Sequence, residues 1–444
     1  MGLEEQNELK FVQFPTLGPN LSDTEHLMTF KILCLSFGFL HVLSLATIAA
    51  EPPLVEKDRP AWEIKFSDAG NSIISVMPGE SKKTFRDPIT KRDVKWEQDV
   101  YCPTFAVVDG RLFCVYRAYS DDDVWRLGLA WSDDGVHFTR SDKPVFVAQP
   151  EDAFLDVLGD AKQKGVSYGD PHVVAGRDGN FYLYFNFLYF GNTTNDQQLA
   201  VATSRDMRNW KVRGRIFAAE APRDRAVIPE RAPWRLPVAT VVSRLEGDRF
   251  VATKIGGKYW MYFNCYATKG PYCLCAATSD NLLDWKVCRD AQGKLVNPLP
   301  ARPGRFDSAY TDPVAAVLRD DGILLIYNGV NAEPGADGDR RLKYYAHHPA
   351  QALFDRNDPT RLLKRSTSPF KGGDAELEKQ PVVFWVAPVY EAWSLVPFKG
   401  ELLLYWNHNF GRRCVGLWKA AIPASMTNGQ SITVQLRNIP IVGP

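Results

Sequence analysis

Short apolar runs, each entered through a glycine turn, recur along the chain. The first copy is Asp109-Gly110 followed by Arg111-Leu112-Phe113-Cys114-Val115-Tyr116, and the second is Asp178-Gly179 followed by Asn180-Phe181-Tyr182-Leu183-Tyr184-Phe185. Gly256-Gly257, Asp321-Gly322 and Lys399-Gly400 open three more, each ahead of an aromatic-rich stretch. The spacing of about 65–78 residues is too long for a solenoid repeat but suits a four-stranded unit with insertions. An apolar strand precedes each turn, at 104–108, 172–175, 250–255, 313–318 and 393–397, and a further strand follows, as at 127–132 and 199–204. Three copies then carry a polar reversal with an aromatic behind it, ending at Phe138, Trp210 and Trp285. Asp and Asn cap such reversals, and the aromatic packs between sheets. The pattern predicts an all-β chain folded as a five-bladed β-propeller, in which sheets bury both faces against their neighbours. Two β-sandwiches would need a linker, and no low-complexity stretch supplies one. The strand completing the last blade comes either from 62–76 or from 432–436.

Composition supports a large core, with 25 Phe, 17 Tyr and 12 Trp among 444 residues. The 53 Lys and Arg nearly balance 52 Asp and Glu, a formal charge of +1, so nothing favours a nucleic-acid partner. The N-terminal region reads differently. Lys31 precedes an apolar run from 32 to 45 and the small residues Ala46-Thr47-Ile48-Ala49-Ala50, the order of a secretory signal over 28–50. Residues 1–27 then form a leader extension or a mis-assigned start, and 51–444 form one propeller domain with an N-terminal extension. A membrane anchor is the alternative, but the run falls short of the ~20 residues a span needs. The expected location is secreted or periplasmic, without stable membrane association after processing. Of the eight Cys, Cys34 leaves with the signal, so the remaining seven cannot all pair within the chain. Cys265 could bridge to Cys273 or Cys275 across a hairpin, and spacing does not choose. No metal-ligand spacing is present, and no metal or other cofactor is expected.

In a radial arrangement the starts of the first strands converge, so polar groups far apart in sequence can face one cavity. Asp170, in Gly169-Asp170-Pro171, and Asp312, in Thr311-Asp312-Pro313, stand at corresponding places before buried strands. Glu246 and Glu391 are offered by the third and fifth units. These four are the candidate catalytic carboxylates. Arg117 and Lys254 can hold a neighbouring carboxylate ionised while a less solvated one stays protonated. Glycoside cleavage requires that contrast, because one carboxylic acid protonates the leaving oxygen and another carboxylate activates water or attacks the sugar carbon. Tyr119, Trp125, Trp234, Trp385 and Trp393 are candidate platforms for sugar faces, His172 and His408 candidate hydroxyl ligands, and Asp307 a candidate substrate-binding residue. The expected partner is a carbohydrate, and the expected activity hydrolysis of an O-glycosidic bond.

From about 85 to 418 these residues resemble the five-bladed propeller glycosidases, closest to glycoside hydrolase family 130 and related to families 43 and 32. The resemblance is carried by Phe85-Arg86-Asp87-Pro88, Val94-Lys95-Trp96-Glu97, Val115-Tyr116-Arg117-Ala118 and Thr253-Lys254-Ile255-Gly256-Gly257. The fourth-unit runs Phe306-Asp307-Ser308, Ile326-Tyr327-Asn328-Gly329 and Ala352-Leu353-Phe354-Asp355 are the most specific. It implies that Asp170 is the Asp of a Glu-Asp-Pro-Arg-like catalytic motif, with Gly169 in place of Glu and His172 in place of Arg. A catalytic Asp on the first unit, found in related families, corresponds here to Cys102. The resemblance opens a family 130-like phosphorylase as an alternative, with a noncatalytic carbohydrate-binding propeller as another. His172 in place of Arg implies turnover without phosphate.

Overall fold

The computed structural model describes residues 58–75, 81–152, 155–156, 165–188, 198–218, 238–267, 270–332, 337–343, 346–370, 390–409 and 413–427. The chain divides into Met1–Pro52 and Pro53–Pro444, and every described residue belongs to the second unit. The signal-like segment, Trp234, Trp385 and 432–436 lie outside the described residues.

The architecture is all-β. β1 (Ser67–Ser75) is followed by a small hairpin, β2 (Thr84–Arg86) and β3 (Asp93–Lys95). β4 (Asp99–Val108), β5 (Arg111–Tyr119), β6 (Trp125–Ser132) and β7 (Thr139–Arg140) form one four-stranded antiparallel sheet. β8 (Ser167–Ala175), β9 (Phe181–Leu188), β10 (Gln198–Ser204) and β11 (Lys211–Arg215) repeat it. In the third unit β12 (Ala239–Glu246) pairs with β15 (Lys258–Ala267), which continues to β16 (Gly270–Ser279) and β17 (Trp285–Val287). β13 (Arg249–Ala252) and β14 (Lys254–Ile255) lie between them in sequence. β18 (Tyr310–Arg319), β19 (Gly322–Val330), β20 (His347–Phe354) and β21 (Leu362–Arg365) make the fourth set. In the fifth, β22 (Tyr390–Phe398), β23 (Glu401–Asn409) and β24 (Arg413–Ala421) are joined by β1. The open choice for the last strand thus falls to the N-terminal segment.

Local chemistry explains the repeats. Asp109 and Gly110 both adopt positive φ, +50° and +77°, as do Lys399 and Gly400, the conformation a two-residue hairpin requires. Asp134, Asp206 and Asn281 each accept two backbone N–H bonds from the residues that follow, which closes the polar reversals. The apolar clusters join neighbouring sets of strands. Phe105 and Tyr116 pack with Tyr405 and Leu417, for example, and Tyr184 with Phe263 and Trp285. The first strands meet one another as well, with contacts joining β4 to β8 and β22, β12 to β8 and β18, and β18 to β22. Among the described residues no helix is long and apolar enough to cross a membrane.

The third unit departs from the expected register. Residues 250–255 are not its first strand: Gly247, at φ +63°, turns β12 back into β13, so the segment just before Gly256-Gly257 is an added hairpin arm. The three neighbouring cysteines Cys265, Cys273 and Cys275 are buried thiols, with Cys273 and Cys275 sulfurs 3.6 Å apart.

Candidate active site

The site is built where the first strands bulge. β4 carries two unpaired residues between Tyr101 and Thr104, and β8 two between Gly169 and His172. β18 and β22 skip only one residue each, after Pro313 and Ala392. A bulge re-aims side chains that a regular strand would send into the sheet faces. Asp170 and Cys102 occupy the wider bulges at φ +48° and +55°, conformations costly for residues with a Cβ. Asp312 is offset by one step from the place expected of it. It lies directly opposite Asn328, as Gly169, not Asp170, lies opposite Asn186.

Asp170 is buried and doubly held. Arg117 Nη1 donates to its Oδ1 at 2.5 Å, and Asn186 Nδ2 donates to Oδ2 at 2.5 Å. Burial pushes its pKa up, against the opposing pull of Arg117, Asn186 and Cys102. Arg117 is itself sandwiched, its guanidinium 3.7 Å from the Tyr101 ring centre and 4.2 Å from that of Trp125. Tyr101 and Tyr119 stack and share a 2.8 Å hydroxyl bond. The Cys102 thiol stays protonated, because burial raises its pKa well above the usual thiol range. Gly169 has no room for a side chain. A Cβ there would meet Asn186 Oδ1 at 2.8 Å and the Trp125 ring at 3.0 Å, so Trp125 fills the space a side chain would take.

A second group gathers on β18, β20 and β22. His347 Nε2 lies 3.3 Å from Asp312 Oδ2 and 3.7 Å from Glu391 Oε1. Asn264 donates to the other oxygen of Asp312, and Asn407 to Glu391 Oε2 at 3.0 Å. Burial raises the Glu391 pKa, with His347 and Asn407 working against it. One donor atom each from Asp312, His347 and Glu391 lie within 4.8 Å of one another, a donor set able to hold a cation. The two groups feel each other electrostatically, since Asp312 raises the pKa of Asp170 and Arg117 lowers that of Glu391.

Asp170, Asp312, Glu391 and Arg117 are therefore brought together, and Glu246 is not. Glu246 ends β12 at the turn into β13, where it pairs with Arg177 on the surface. β12 runs parallel to β18 with Val242 opposite Ala316, which leaves Glu246 eight residues, about 26 Å, along the strand from the level of Asp312. The misplaced first strand of the third unit is the reason. Lys254 lies on the same hairpin, paired with Tyr259 five residues down β15 from Asn264, and is likewise remote. Asp307 is completely buried against Arg302, Arg365 and the Tyr327 hydroxyl, so it cannot reach a ligand. Trp393 is buried, leaving little ring to stack a sugar. His172 borders the site, its Nε2 3.0 Å from Thr240 Oγ1, and burial holds its pKa down at about 4. His408 pairs with Tyr390 in the backbone register. Tyr119 and Trp125 are partly exposed beside Arg117.

The asparagines were not anticipated, although their signal is periodic. Phe185-Asn186, Phe263-Asn264, Tyr327-Asn328 and Trp406-Asn407 place an amide after an aromatic in four second strands, where Tyr116-Arg117 stands in the first. Asn328 clasps Ala392 through both its N–H and its C=O, and Asn407 Oδ1 accepts the Cys102 N–H, so these two also tie the fourth set of strands to the fifth and the fifth to the first.

The profile of glycoside hydrolase family 130, described as β-1,4-mannooligosaccharide phosphorylase, matches residues 80–379. A 1,2-β-oligomannan phosphorylase of Thermoanaerobacter sp. (strain X514) is 25% identical over 300 residues, which is 65% of this chain and 81% of the relative. A glycosyl hydrolase from Bacteroides ovatus is similar in structure, with a TM-score of 0.69, 28% identity, and 82% of this chain and 96% of that one covered. Another similar structure, with a TM-score of 0.69 and 27% identity over 82% of this chain and 98% of its own, is described as one of the glycoside hydrolases within the mannoside phosphorylase family, targeting β-1,2 mannosidic linkages in Candida mannan. These matches favour a carbohydrate-active enzyme over a noncatalytic binding protein and bring the phosphorylase alternative ahead of simple hydrolysis. The chain belongs to glycoside hydrolase family 130.

Proposed function

We propose that the five sets of strands form a five-bladed β-propeller within residues 51–444, and that the site at its mouth cleaves a β-mannosidic bond by phosphorolysis. The observation that carries this reading is the Arg117–Asp170 pair. One arm of the buried guanidinium holds the acid, while its Nε–H is a buried donor with no hydrogen-bond partner among the described residues, which a phosphate oxygen reaching the pair would satisfy. Asp170, biased towards its protonated form by burial, gives its proton to the leaving oxygen as the bond from that oxygen to the sugar carbon breaks. A phosphate oxygen forms the new bond to the same carbon. Phosphate is already an anionic nucleophile, so no protein base is needed. Asp312, His347 and Glu391 hold the sugar from the other side. The family description and the Thermoanaerobacter relative support phosphate as the acceptor.

Hydrolysis is the second reading. It is favoured by His172, which is neutral at physiological pH where the family motif has a permanently charged Arg, and by Glu391 and Asp312 as carboxylates near which water could be activated. Incubating the full chain with β-1,2-mannobiose and β-1,4-mannobiose, with and without inorganic phosphate, separates the readings. Mannose 1-phosphate formed only with phosphate is expected. Free mannose released equally fast without it would replace phosphorolysis by hydrolysis, and saturable binding without either product would remove catalysis. We further propose export through the signal-like residues 28–50, for which the mature chain should begin near Glu51 by intact mass.

A further inference from the structure

We propose that Asp312, His347 and Glu391 form a binding site for one divalent cation of the zinc class. The inference rests on geometry and is independent of which acceptor the enzyme uses.

The three side chains come from three different strands, β18, β20 and β22, and are separated by 35 and 44 residues in sequence (347 − 312 and 391 − 347). In each carboxylate the two oxygens have different tasks. Asp312 gives Oδ1 to the Asn264 amide and turns Oδ2 towards His347. Glu391 gives Oε2 to the Asn407 amide and turns Oε1 towards the same imidazole nitrogen. Outer oxygens fixed by amides, with inner oxygens converging, is how surrounding hydrogen bonds orient metal-bound carboxylates. Asn264 is wholly buried, and its own Oδ1 has no hydrogen-bond partner among the described residues, so a further acceptor stands next to the set.

The separations discriminate between an ion and a direct contact. A charge-assisted bond from the single Nε2–H to one of the carboxylates should draw that one to about 2.7–2.9 Å. Here the gaps are 3.3 and 3.7 Å. A tetrahedral ion with ligands at about 2.0–2.2 Å spaces those ligands roughly 3.3–3.6 Å apart. Charge points the same way. Two carboxylates face each other across one histidine, and the nearby guanidinium of Arg117 is already engaged by Asp170. A dication neutralises the pair without requiring the histidine to be charged. One imidazole with two carboxylates suits a borderline ion such as zinc better than calcium, which prefers six to eight oxygens. Three protein ligands in a partly exposed position leave a coordination place open to water or to a sugar hydroxyl.

The test uses the full chain, dialysed against a chelator and titrated calorimetrically with zinc chloride alone. One ion per chain is expected, with affinity reduced at least about tenfold in His347→Ala and Glu391→Gln, and by about 10–100-fold in Asn407→Ala if that amide orients its ligand. Thermal melts in chelator should coincide for the wild type and the variants, which separates loss of a ligand from loss of fold. If the melts differ, zinc-dependent stabilisation of the still-folded fraction is read instead. Absence of saturable binding by the wild type overturns the proposal, as does undiminished binding by His347→Ala, which would place the ion elsewhere. Tighter binding of calcium than of zinc would overturn the assignment of ion class.

Discussion

Two buried Arg–Asp clusters in this molecule use the same chemistry to opposite ends. Asp307 is wholly enclosed. Arg302 contacts it through Nε at 2.9 Å and Nη2 at 2.7 Å, Arg365 approaches at 2.6 Å, and the Tyr327 hydroxyl donates at 3.0 Å. Arg302 also donates to the Ser366 carbonyl, so the cluster pins the loop before β18 to the end of β21. Asp170 has one guanidinium and one amide, sits in a bulge at positive φ, and is buried with 7% of its surface exposed where Asp307 has none. A carboxylate enclosed by two cations and a hydroxyl has no room for a ligand and serves the fold. One with a single cation, partly desolvated and strained, retains a proton-transfer role. Family motifs in the sequence surround both, which is why Asp307 reads as a ligand-binding residue until its partners are seen.

The widest separation between the two should come from replacing each Asp by Asn. Asp170→Asn keeps the side-chain size and leaves one buried cation without its partner where Asp307→Asn leaves two, so the melting temperature should fall less than in Asp307→Asn. Its kcat/KM on the active mannoside should fall by roughly 10²–10⁴-fold. Full turnover by the variant would remove Asp170 from the chemistry. Asp307→Asn should do the reverse. Leaving Arg302 and Arg365 uncompensated should cost about 3–5 kcal/mol in urea unfolding, while activity per folded molecule is retained. A variant as stable as the wild type would show that the enclosed cluster is not the structural clamp described here.

What could be read from the sequence follows the same division. Turn glycines and aromatic strands are local signals, and they located the strand sets correctly except where Gly247 inserts an extra reversal. That single insertion displaced the first strand of the third unit and carried Glu246 with it to the surface. Asp170, Asp312 and Glu391 could be named from the sequence because an apolar run follows each, although all three lie within their strands. His347 was not. It begins a third strand with no recurring motif around it and reaches the site only through pairing with Val330, a long-range register that no local pattern encodes. The offset between Asp170 and Asp312 was hidden for a related reason, since bulge width is set by pairing with the second strand and not by the Pro that follows each Asp.

A smaller effect sharpens the contrast on the Asp170 side. Gly169→Ala introduces a Cβ at 2.8 Å from Asn186 Oδ1 and 3.0 Å from Trp125, so one of the two groups that support Asp170 and Arg117 must move. Overpacking of this kind costs about 1–3 kcal/mol. Activity should fall in addition, because Asn186 holds Asp170 and Trp125 covers Arg117. An alanine variant with wild-type stability and rate would mean that the site relaxes freely, contrary to the tight support inferred for it.

The smallest effect concerns pH and isolates His172. Its pKa falls from 6.5 to about 4 because burial penalises the imidazolium. Between those values the unfolded chain binds a proton that the folded chain refuses, so stability rises with pH there and is lost as pH falls from 6.5 towards 4. At about pH 5.5 the share owed to this residue should be about 1.4 kcal/mol relative to neutral or higher pH. His348, with its pKa held down at about 3, adds a loss of the same sign, so the wild-type curve alone does not assign the effect. The difference between wild type and His172→Gln does, because the variant lacks only one of the two titrations. Urea midpoints measured from pH 8 to pH 5 should therefore fall less steeply for His172→Gln. Parallel curves would mean that His172 is already solvated enough to take its proton in the folded state, which would restore it as a charged ligand for an anionic acceptor and strengthen phosphorolysis over hydrolysis.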